Sequence, residues 1–591
     1  MTGPHYRLNY PSALWLRVLL KKHNMNSDTV ATNRSSSLLV TQNGKQTMDS
    51  IQRMAFGASE RIWTQLESEI ELNSDTATEV AGGIIKQYLI GGILYGTIRE
   101  IEMARFVVDE MKPDCVWVQR TGFSALVGNA FEIVSREYKI KTRIVEPRIL
   151  SIMRNYVGRN ETLRYLGNHL FSERLLLEGG MDTSRHDRRV FFDVPYWNWF
   201  ISVKPVIEHL LQGSDIVFVL TDGHVPEGLR PLGLKTRSEE ESDITKEVRR
   251  TLQNYRSRRS TKRFQSIFEW KGMNLWELVA DQVDFAFEIL LPLMPNHVAF
   301  CRSVLDTVEP DISVIATAPR SYALGNMAVL CKLRGIPLLE VQHGLFNPLH
   351  DPFVQPLLFD RIACGGPHWR RKFVERGATL DAIVVTGWPN YDEYTNVDTG
   401  GTNAEARTIL YLGQGELSES GIRVLKRISS LLDETGATLL IKPHPVEDAR
   451  QYSLKLPKHS RIGVLEPRAK LRDCLGRSDV VITYDSTGGI EAVLLGKRLL
   501  CLNLDHVGSA FRDMYVESGV AEEIVNLDQL EEWIRNMNEM ETAKDLRLAR
   551  SKFISDMVYL VDGKASSRIV DLIHEMIRVA PNSNGRVGPN R

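Results

Sequence analysis

Two short motifs in the second half of the chain carry residues that could hold a phosphate. In the first, the apolar run 439–441 leads into Lys442-Pro443-His444-Pro445, so a cation and an imidazole follow a predicted strand. The two prolines restrict the backbone on both sides of His444. Fixed donors and positive charge are what the phosphate of a departing nucleotide requires. The alternative is a proline-rich turn whose histidine hydrogen-bonds only a carbonyl.

The second motif, Ser486-Thr487-Gly488, follows the apolar run 480–483 and precedes a predicted helix. Either hydroxyl is predicted to cap this helix, and the free N–H groups at its start are suited to an anion. Glu491, one helical turn further on, is placed to accept hydrogen bonds from a ribose. The alternative is an ordinary helix cap with a surface glutamate, and only the pairing with the first motif favours function.

A third strand end, Leu412-Gly413-Gln414-Gly415, contributes small residues. Backbone amides can approach a ligand closely there because glycine has no side chain. Taken alone, this turn is better explained as the start of the next helix.

In the first half of the chain, the predicted strand 337–341 is followed by Gln342-His343-Gly344. We expect His343 to face the ligand from the opposite side, as the general base that deprotonates an acceptor hydroxyl. A structural histidine that supports the following loop is the alternative.

The strands that position these motifs belong to two α/β series. The first series begins with a predicted strand at 114–118, a helix through Phe131 and Val134, and a strand at 142–145. The same order of elements recurs near residue 310, with a strand at 311–315, a helix at 323–333 and a strand at 337–341. Asp311 follows Asp114 by 197 positions, which suggests a duplication. A further buried strand is predicted at 215–220.

The second series has predicted strands at 409–412, 438–441, 480–483 and 499–502, with helices between them. Alternation of strands and helices predicts parallel sheets covered by helices, hence an α/β fold. Two doubly wound sheets joined by a linker place their strand ends across a shared cleft.

The predicted domains are a mobile arm at 1–50, an α/β acceptor-side domain at 51–395, a linker at 396–405, an α/β nucleotide-donor domain with closing helices at 406–580, and a tail at 581–591. The arm is rich in Ser, Thr and Asn, and the linker is polar with two glycines. Within the arm, the run 14–22 has the pattern of a basic amphipathic helix, which either lies on a membrane surface or packs on the main body.

The composition excludes several classes of protein. The 591 residues include 73 basic and 74 acidic ones, so no net charge attracts nucleic acid and we expect no such partner. The six cysteines show no C-x-x-C spacing, which indicates a reducing cytoplasm rather than zinc or disulfides. No signal peptide or membrane span is predicted, although the sequence is compatible with contact between the protein and the inner face of a membrane.

The basic segment 249–263 is predicted to be a solvated helix surface. The alternative is that it binds an anionic glycan or a lipid headgroup.

In this order, the motifs resemble those of GT-B-type transferases of bacterial capsule and teichoic acid synthesis, namely the capsule polysaccharide biosynthesis and CDP-glycerol glycerophosphotransferase families. The resemblance covers roughly residues 300 to 575. The segments 342–344, 442–445 and 486–487 resemble the families' histidine–glycine, His-Pro and hydroxyl motifs. The segments 386–392 and 562–568 are similar to their Gly-x-Pro-x-x-Asp segment and closing helix signature.

The resemblance implies a GT-B-like fold with two Rossmann-like domains and an enzyme that uses a nucleotide-sugar or a CDP-glycerol-type donor. It implies that His343 is the catalytic base and that Lys442, His444 and the Ser486–Thr487 pair contact the donor's phosphates. Gln342 stands where the glycerophosphotransferases usually have Trp, which favours sugar transfer without excluding polyol phosphate transfer. The acceptor would be a surface polysaccharide or a lipid-linked primer.

No metal or other cofactor is expected, since no Asp-x-Asp motif follows a predicted strand and fixed protein donors can stabilise the leaving charge. Two other functions stay open: a non-hydrolysing nucleotide-sugar 2-epimerase, and a non-catalytic protein of polysaccharide assembly or binding with the same fold.

Overall fold

The computed structural model describes most of the predicted α/β regions. It describes residues 42–71, 94–111, 115–119, 125–145, 174–180, 188–194, 197–221, 225–234, 243–316, 322–344, 359–375, 378–395, 408–414, 417–445, 447–504, 510–537 and 544–579. The amphipathic run 14–22, the predicted linker 396–405, Gly415 and the tail 581–591 lie outside these residues.

Among the described residues, the strands form two large sheets and two small ones. In chain order they are β1 (Cys115–Gln119), β2 (Lys141–Val145), β3 (Leu175–Gly179), β4 (Arg189–Asp193), β5 (Ile216–Thr221), β6 (Arg230–Pro231), β7 (Glu269–Trp270), β8 (Met273–Asn274), β9 (Ile312–Ile315), β10 (Leu338–Val341), β11 (Arg361–Cys364), β12 (Ile383–Val385), β13 (Thr408–Leu412), β14 (Thr438–Lys442), β15 (Ile462–Val464), β16 (Val480–Thr483), β17 (Arg498–Leu502) and β18 (Glu522–Ile524).

Helices connect and cover these strands. They are α1 (Gln42–Glu69), α2 (Tyr95–Met111), α3 (Ala125–Glu137), α4 (Trp197–Leu211), α5 (Asp243–Arg258), α6 (Lys262–Ser266), α7 (Trp276–Phe285), α8 (Leu291–Val308), α9 (Tyr322–Leu333), α10 (Pro367–Glu375), α11 (Glu419–Thr435), α12 (Arg450–Lys455), α13 (Leu471–Gly476), α14 (Gly488–Leu494), α15 (Ala510–Glu517), α16 (Leu527–Arg535), α17 (Lys544–Phe553) and α18 (Ala565–Val579), with π-helical turns at Ala286–Leu290 and Ile554–Val558 and 3-10 turns at Leu380–Ala382 and Pro389–Tyr394.

The N-terminal sheet has eight strands in the order β12-β11-β10-β9-β4-β5-β3-β6. The six strands from β12 to β5 are parallel, whereas β3 runs antiparallel to β5 and β6 antiparallel to β3. The chain leaves the centre in opposite directions from β4 and β9. A crevice for a ligand is expected at such a switch point, at the carboxyl ends of the two strands.

The C-terminal sheet has six parallel strands in the order β15-β14-β13-β16-β17-β18. Its switch point lies between β13 and β16, the strands that precede Gly413 and Ser486. The four strands predicted for this half are confirmed to within one residue at each end. Together the two sheets confirm the predicted α/β fold of two doubly wound sheets.

Local sequence explains why α11 forms where it does. Ser418 caps the helix by accepting a hydrogen bond from the N–H of Gly421 at 3.0 Å, and Gly436 ends it in the left-handed region with φ of 70°. The buried residues between the two ends recur every three or four positions, as a helix packed on a sheet requires: Val424, Leu425, Ile428, Leu431 and Leu432.

The predicted repeat is confirmed as a shared order of elements. The unit β1-α3-β2 corresponds to β9-α9-β10 at the spacing of 197 residues, and both strand pairs are parallel. The single parallel sheet expected from this alternation is not formed, however, because β1 and β2 make a separate two-stranded sheet.

The predicted arm at 1–50 extends too far, because α1 begins at Gln42. The first turns of α1 are polar, which conceals the helix from a search for apolar periodicity. The helical spacing appears only further on, where Ala55, Ile62 and Leu66 are buried.

The closing helix α18, which the predicted donor domain at 406–580 includes, packs on the N-terminal sheet. Its residues Ile569 and Ile573 share a buried apolar core with Val203 of α4 and with strands of the N-terminal sheet. His574 on the same helix lies 3.0 Å from the carboxylate of Asp215. An amphipathic helix can cover either sheet, and the sequence does not show which one it covers.

Ion pairs account for much of the charge in the basic segment 249–263. Arg263 pairs with Glu69 at 2.9 Å, and Arg256 donates to Glu288 at 2.9 Å. Arg258 pairs with Glu71, and Arg259 with Asp284. These partners support the structural interpretation of the segment over glycan binding.

Within the residues that the structure describes, no helix combines the length and the apolar character needed to cross a membrane.

Candidate functional site

The side chain of Gln414 joins the two strands at the switch point of the C-terminal sheet. Its Nε2 donates to Oγ1 of Thr483 at 2.9 Å, and its Oε1 accepts from the backbone N–H of Asp485 at 3.3 Å. The loops after β13 and β16 are therefore fixed to each other. A rigid frame at this position is what a preorganised binding site needs.

Glu447 joins the same frame to the loop that carries His444. One carboxylate oxygen accepts from the backbone N–H of Gln414 at 3.3 Å, and the other accepts from the N–H of His444 at 2.7 Å and from the hydroxyl of Tyr452 at 2.8 Å. A Cβ at Gly413 would overlap Glu447 and lie 2.7 Å from the backbone nitrogen of His444. Glycine is thus required here by close packing between loops. The sequence analysis did not identify Glu447, although its place three residues after His444 was a usable signal.

Lys442 is buried, and its ammonium contacts backbone carbonyls. Nζ donates to the carbonyl oxygen of Pro443 at 3.0 Å and to that of Pro467 at 2.6 Å. Burial lowers the pKa of Lys442, an effect that the nearby carboxylates of Glu447 and Glu491 oppose. Two of its three donors are used in tying the loop after β14 to the loop before α13. The side chain of His444, in contrast, is exposed at the same edge of the sheet.

The turn before α14 is held by side-chain and backbone hydrogen bonds. Oγ of Ser486 accepts from the N–H of Gly488 at 3.1 Å, and the N–H of Ser486 donates to Thr483 Oγ1 at 3.2 Å. The hydroxyl of Tyr515 donates to the carbonyl of Ser486 at 3.0 Å. Thr487 occupies the N-cap position but makes no side-chain cap hydrogen bond, so only Ser486 fulfils the capping prediction.

Glu491 receives a hydrogen bond from a distant part of the chain. The hydroxyl of Tyr394 donates to its Oε2, across 97 residues of sequence. Burial raises the pKa of Glu491 to about 7, assisted by the charge of Glu393 and opposed by Tyr394 and Lys442. The sequence analysis identified Glu491 but not Tyr394, whose role depends on how two separate segments meet.

His343 lies at the carboxyl edge of the N-terminal sheet, after β10. Its ring packs against Trp199 of α4, with ring centroids 5.3 Å apart and planes tilted by 48°. The preceding Gln342 is buried, donates to the carbonyl of Gly344 at 3.1 Å and accepts from the N–H of Gly365 at 3.1 Å. These two hydrogen bonds fix the loop that carries His343 to the neighbouring strand end.

The two segments that resemble family signatures at 386–392 and 562–568 contact each other. The carboxylate of Asp392 accepts from the backbone N–H groups of Ala565 and Ser566, each at 2.8 Å, and so caps α18. Arg568 donates to the carbonyl of Thr386 at 2.6 Å. In this structure both signatures hold α18 to the end of the N-terminal body.

The structure thus gathers the predicted residues at two sheet edges. Gly413, Gln414, Lys442, His444, Ser486, Thr487 and Gly488 lie at the carboxyl edge of the C-terminal sheet, with Glu491 in the first helix after it. His343 lies at the carboxyl edge of the N-terminal sheet. The helix α4, which carries Trp199, packs against the 389–394 turn, and that turn reaches Glu491 through Tyr394.

No His, Cys, Asp or Glu cluster suited to a metal occurs among the described residues.

Comparison with known proteins gives structural similarity only. No family model matches the chain, and no curated protein sequence matches it. A solved UDP-N-acetylglucosamine 2-epimerase aligns over 68% of this chain and 100% of its own, with 16% identity and a TM-score of 0.43. The UDP-GlcNAc 2-epimerase of Methanocaldococcus jannaschii, in complex with UDP-GlcNAc and UDP, aligns over 65% and 99%, with 14% identity and a TM-score of 0.41. A variant of the wall teichoic acid polymerase TagF aligns over 46% and 73%, with 14% identity and a TM-score of 0.33. At these scores the similarities assign no activity to the chain.

Proposed function

We propose that this protein transfers a sugar, or a polyol phosphate, from a nucleotide-activated donor to a surface-polysaccharide or lipid-linked acceptor. The observation that carries the proposal is the frame around Gln414, which fixes the strand-end loops at the switch point of the C-terminal sheet. Nucleotides bind at such positions in doubly wound folds. The predicted phosphate-binding residues lie on this frame or on the loops tied to it.

The donor's phosphates would be held by His444 and by the turn from Ser486 to Gly488. The side chain of His444 is exposed at this edge of the sheet, and the hydrogen bond from its backbone N–H to Glu447 fixes the position of the loop that carries it. The ammonium of Lys442 would contribute positive charge at a fixed position, because its hydrogen bonds to two backbone carbonyls hold it in place. Charge that builds up on the departing nucleotide is stabilised best by donors that are already in place.

The acceptor hydroxyl would lose its proton to His343. The packing of this imidazole on Trp199 and the two hydrogen bonds of Gln342 support a preorganised base. The preference for a sugar over a polyol phosphate rests on the resemblance described above and on Gln342 in particular.

Calorimetry with CMP, CDP, UDP and GDP tests the donor site directly. We expect binding of at least one of these nucleotides and a loss of affinity of about tenfold or more in His444→Ala, the scale of one charge-assisted hydrogen bond. His343→Ala should bind the same nucleotide as the wild type but lose transfer. His209→Ala, which changes an exposed histidine of α4, serves as the control.

Three outcomes would contradict the proposal. The absence of nucleotide binding would indicate a non-catalytic protein. Full transfer by both histidine variants would remove the assigned roles. Conversion of UDP-N-acetylglucosamine to its 2-epimer without any acceptor would identify an epimerase instead.

A further inference from the structure

Tyr394 ends a turn that is anchored to the N-terminal body. The indole N–H of Trp388, just before the 389–394 turn, donates to the carbonyl of Met557 at 3.1 Å. Asp392, within the turn, caps α18, whose other residues pack in the core of the N-terminal sheet. Tyr394 itself is only 5% exposed. The hydroxyl of Tyr394 therefore reaches Glu491 from a turn that is anchored outside the C-terminal sheet.

The acceptor of that hydroxyl lies in the proposed nucleotide site. Glu491 is in α14, directly after the turn from Ser486 to Gly488, and the hydroxyl of Tyr394 contacts one of its two carboxylate oxygens. A carboxylate can accept up to about four hydrogen bonds, so a hydrogen bond from Tyr394 leaves capacity for further donors. A ribose offers such donors in its 2′ and 3′ hydroxyls.

We propose that Tyr394 is a positioning residue of the nucleotide site, whose hydroxyl fixes the carboxylate of Glu491 to accept the ribose hydroxyls of the donor. The inference rests on the proposed function, since it presupposes that a nucleotide binds at this edge. It adds that ribose recognition in the C-terminal half depends on a hydroxyl supplied by the N-terminal half.

The charged groups around Glu491 give the proposal a pH signature. Besides burial, Glu393, on the same turn as Tyr394, raises the pKa of Glu491, and Lys442, the last residue of β14, lowers it. Arg472 of α13 contacts Glu393 at 3.1 Å and lies 5.5 Å from the centre of the Tyr394 ring. Tyr391 is a further titratable neighbour on the turn, and burial raises its pKa, as does the charge of Glu491.

Burial raises the pKa of Glu491 to about 7, and the hydrogen bond from Tyr394 acts in the opposite direction. The hydrogen bond therefore favours the ionised form of the Glu491 carboxylate. Removing the hydroxyl raises that pKa, so more of Glu491 is protonated at neutral pH. The ionised carboxylate is the stronger acceptor. Ribonucleotide affinity should therefore fall as pH decreases through about 7 in the wild type, and the same fall should occur at higher pH in Tyr394→Phe.

The experiment is calorimetry between pH 6 and pH 9 with the nucleotide from the panel above that the wild type binds best, and with its 2′,3′-dideoxy counterpart, which lacks both hydroxyls. We expect Tyr394→Phe to weaken binding of the ribonucleotide about tenfold at pH 7, to recover much of it at pH 9, and to bind the dideoxynucleotide nearly as the wild type does. Glu491→Gln should show the same loss without the pH dependence, and the double variant should lose no more than either single variant.

Tyr391→Phe is the matched control, because it removes a hydroxyl from the same buried turn and should leave affinity and pH profile unchanged. If the wild type binds no nucleotide, the proposed function fails and this inference fails with it. If the wild type binds and Tyr394→Phe matches it in affinity, pH midpoint and ribose preference, the inference alone is overturned. An equal loss for the ribonucleotide and the dideoxynucleotide at every pH would also overturn it, since that is the pattern of a merely structural defect.

Discussion

The carboxylate of Glu447 accepts a hydrogen bond from the backbone N–H of His444 at 2.7 Å, and it thereby holds in place the loop whose imidazole is proposed to meet the donor. The same side chain also accepts from Gln414 and Tyr452. Glu447→Ala removes all three hydrogen bonds. We expect nucleotide affinity to fall about tenfold while the protein remains folded, because a lost hydrogen bond to a charged group is worth about 1.5–3 kcal/mol.

Asp448→Ala is the control for this variant, since Asp448 is the neighbouring acid and its carboxylate hydrogen-bonds Arg450 at the surface. Calorimetry together with circular dichroism separates loss of binding from loss of fold. Equal affinity of Glu447→Ala and Asp448→Ala would show that the loop needs no such support.

Gly413 occupies the space between these same loops. In Gly413→Ala the new methyl group would overlap Glu447 and lie 2.7 Å from the backbone nitrogen of His444. We expect a loss of about 1–3 kcal/mol in the free energy of unfolding, together with weaker nucleotide binding. Gly476→Ala is the matched control, since a Cβ there meets nothing within 4 Å. Denaturant titration checks both variants, and similar stability of the two would contradict the packing argument.

Asp392 links the 389–394 turn to α18 through two backbone N–H groups. Asp392→Ala leaves both donors without this acceptor, so we expect a loss of about 1–2 kcal/mol in stability. Hydrogen exchange at Ala565 and Ser566 should accelerate, which locates the effect at the start of the helix. Asp571→Ala, an exposed acid on the same helix, should change neither quantity. Unaltered exchange in Asp392→Ala would be evidence against the cap.

His297 should make the protein less stable in acid. Burial, with a contribution from the charge of Arg174, lowers the pKa of His297 to about 3. In the unfolded chain the same imidazole has a pKa of about 6.5, so between these values the unfolded state binds a proton that the native state does not. Stability is therefore lost as pH falls from about 6.5 towards 3, and the loss amounts to about 3 kcal/mol at pH 4.

The comparison that checks this prediction is the slope of unfolding free energy against pH for the wild type, His297→Leu and His209→Leu. Replacing His297 should flatten the slope between about pH 4 and pH 6.5, whatever it does to stability at neutral pH. Replacing the exposed His209 should leave the slope unchanged. Parallel curves for the wild type and His297→Leu would rule out His297 as the source.

Buried parallel strands were the part of the fold that the sequence predicted best. The strands β13, β14, β16 and β17 are apolar runs bounded by polar turns, and burial on both faces produces that pattern directly. The strands β3 and β4 were not identified, although β4 lies at the centre of its sheet. Each has only a few apolar residues beside charged ones, and so short a run does not distinguish a strand from a helix.

The same contrast applies to the candidate site. Residues directly after a predicted strand, such as His343 and His444, were identified because strand ends of doubly wound sheets point to a ligand crevice. Glu447 and Tyr394 were not, since their importance comes from contacts with other segments. Tyr394 meets a carboxylate 97 positions away, and no local pattern marks such a partner.

The helix α18 packs on the N-terminal sheet, although the ribosome synthesises it long after the strands of that sheet. His574 and Asp215 are 359 residues apart in sequence, yet Nε2 of His574 lies 3.0 Å from Oδ2 of Asp215. The last strand of that sheet, β12, ends at Val385, which is 180 residues before α18 begins at Ala565. At the usual rate of about 5–20 residues per second, the ribosome needs roughly 9–36 s to synthesise this stretch, and during that interval the apolar face of the N-terminal sheet lacks the helix that later covers it. A nascent chain of this length is therefore vulnerable to aggregation through that face until its last helix emerges.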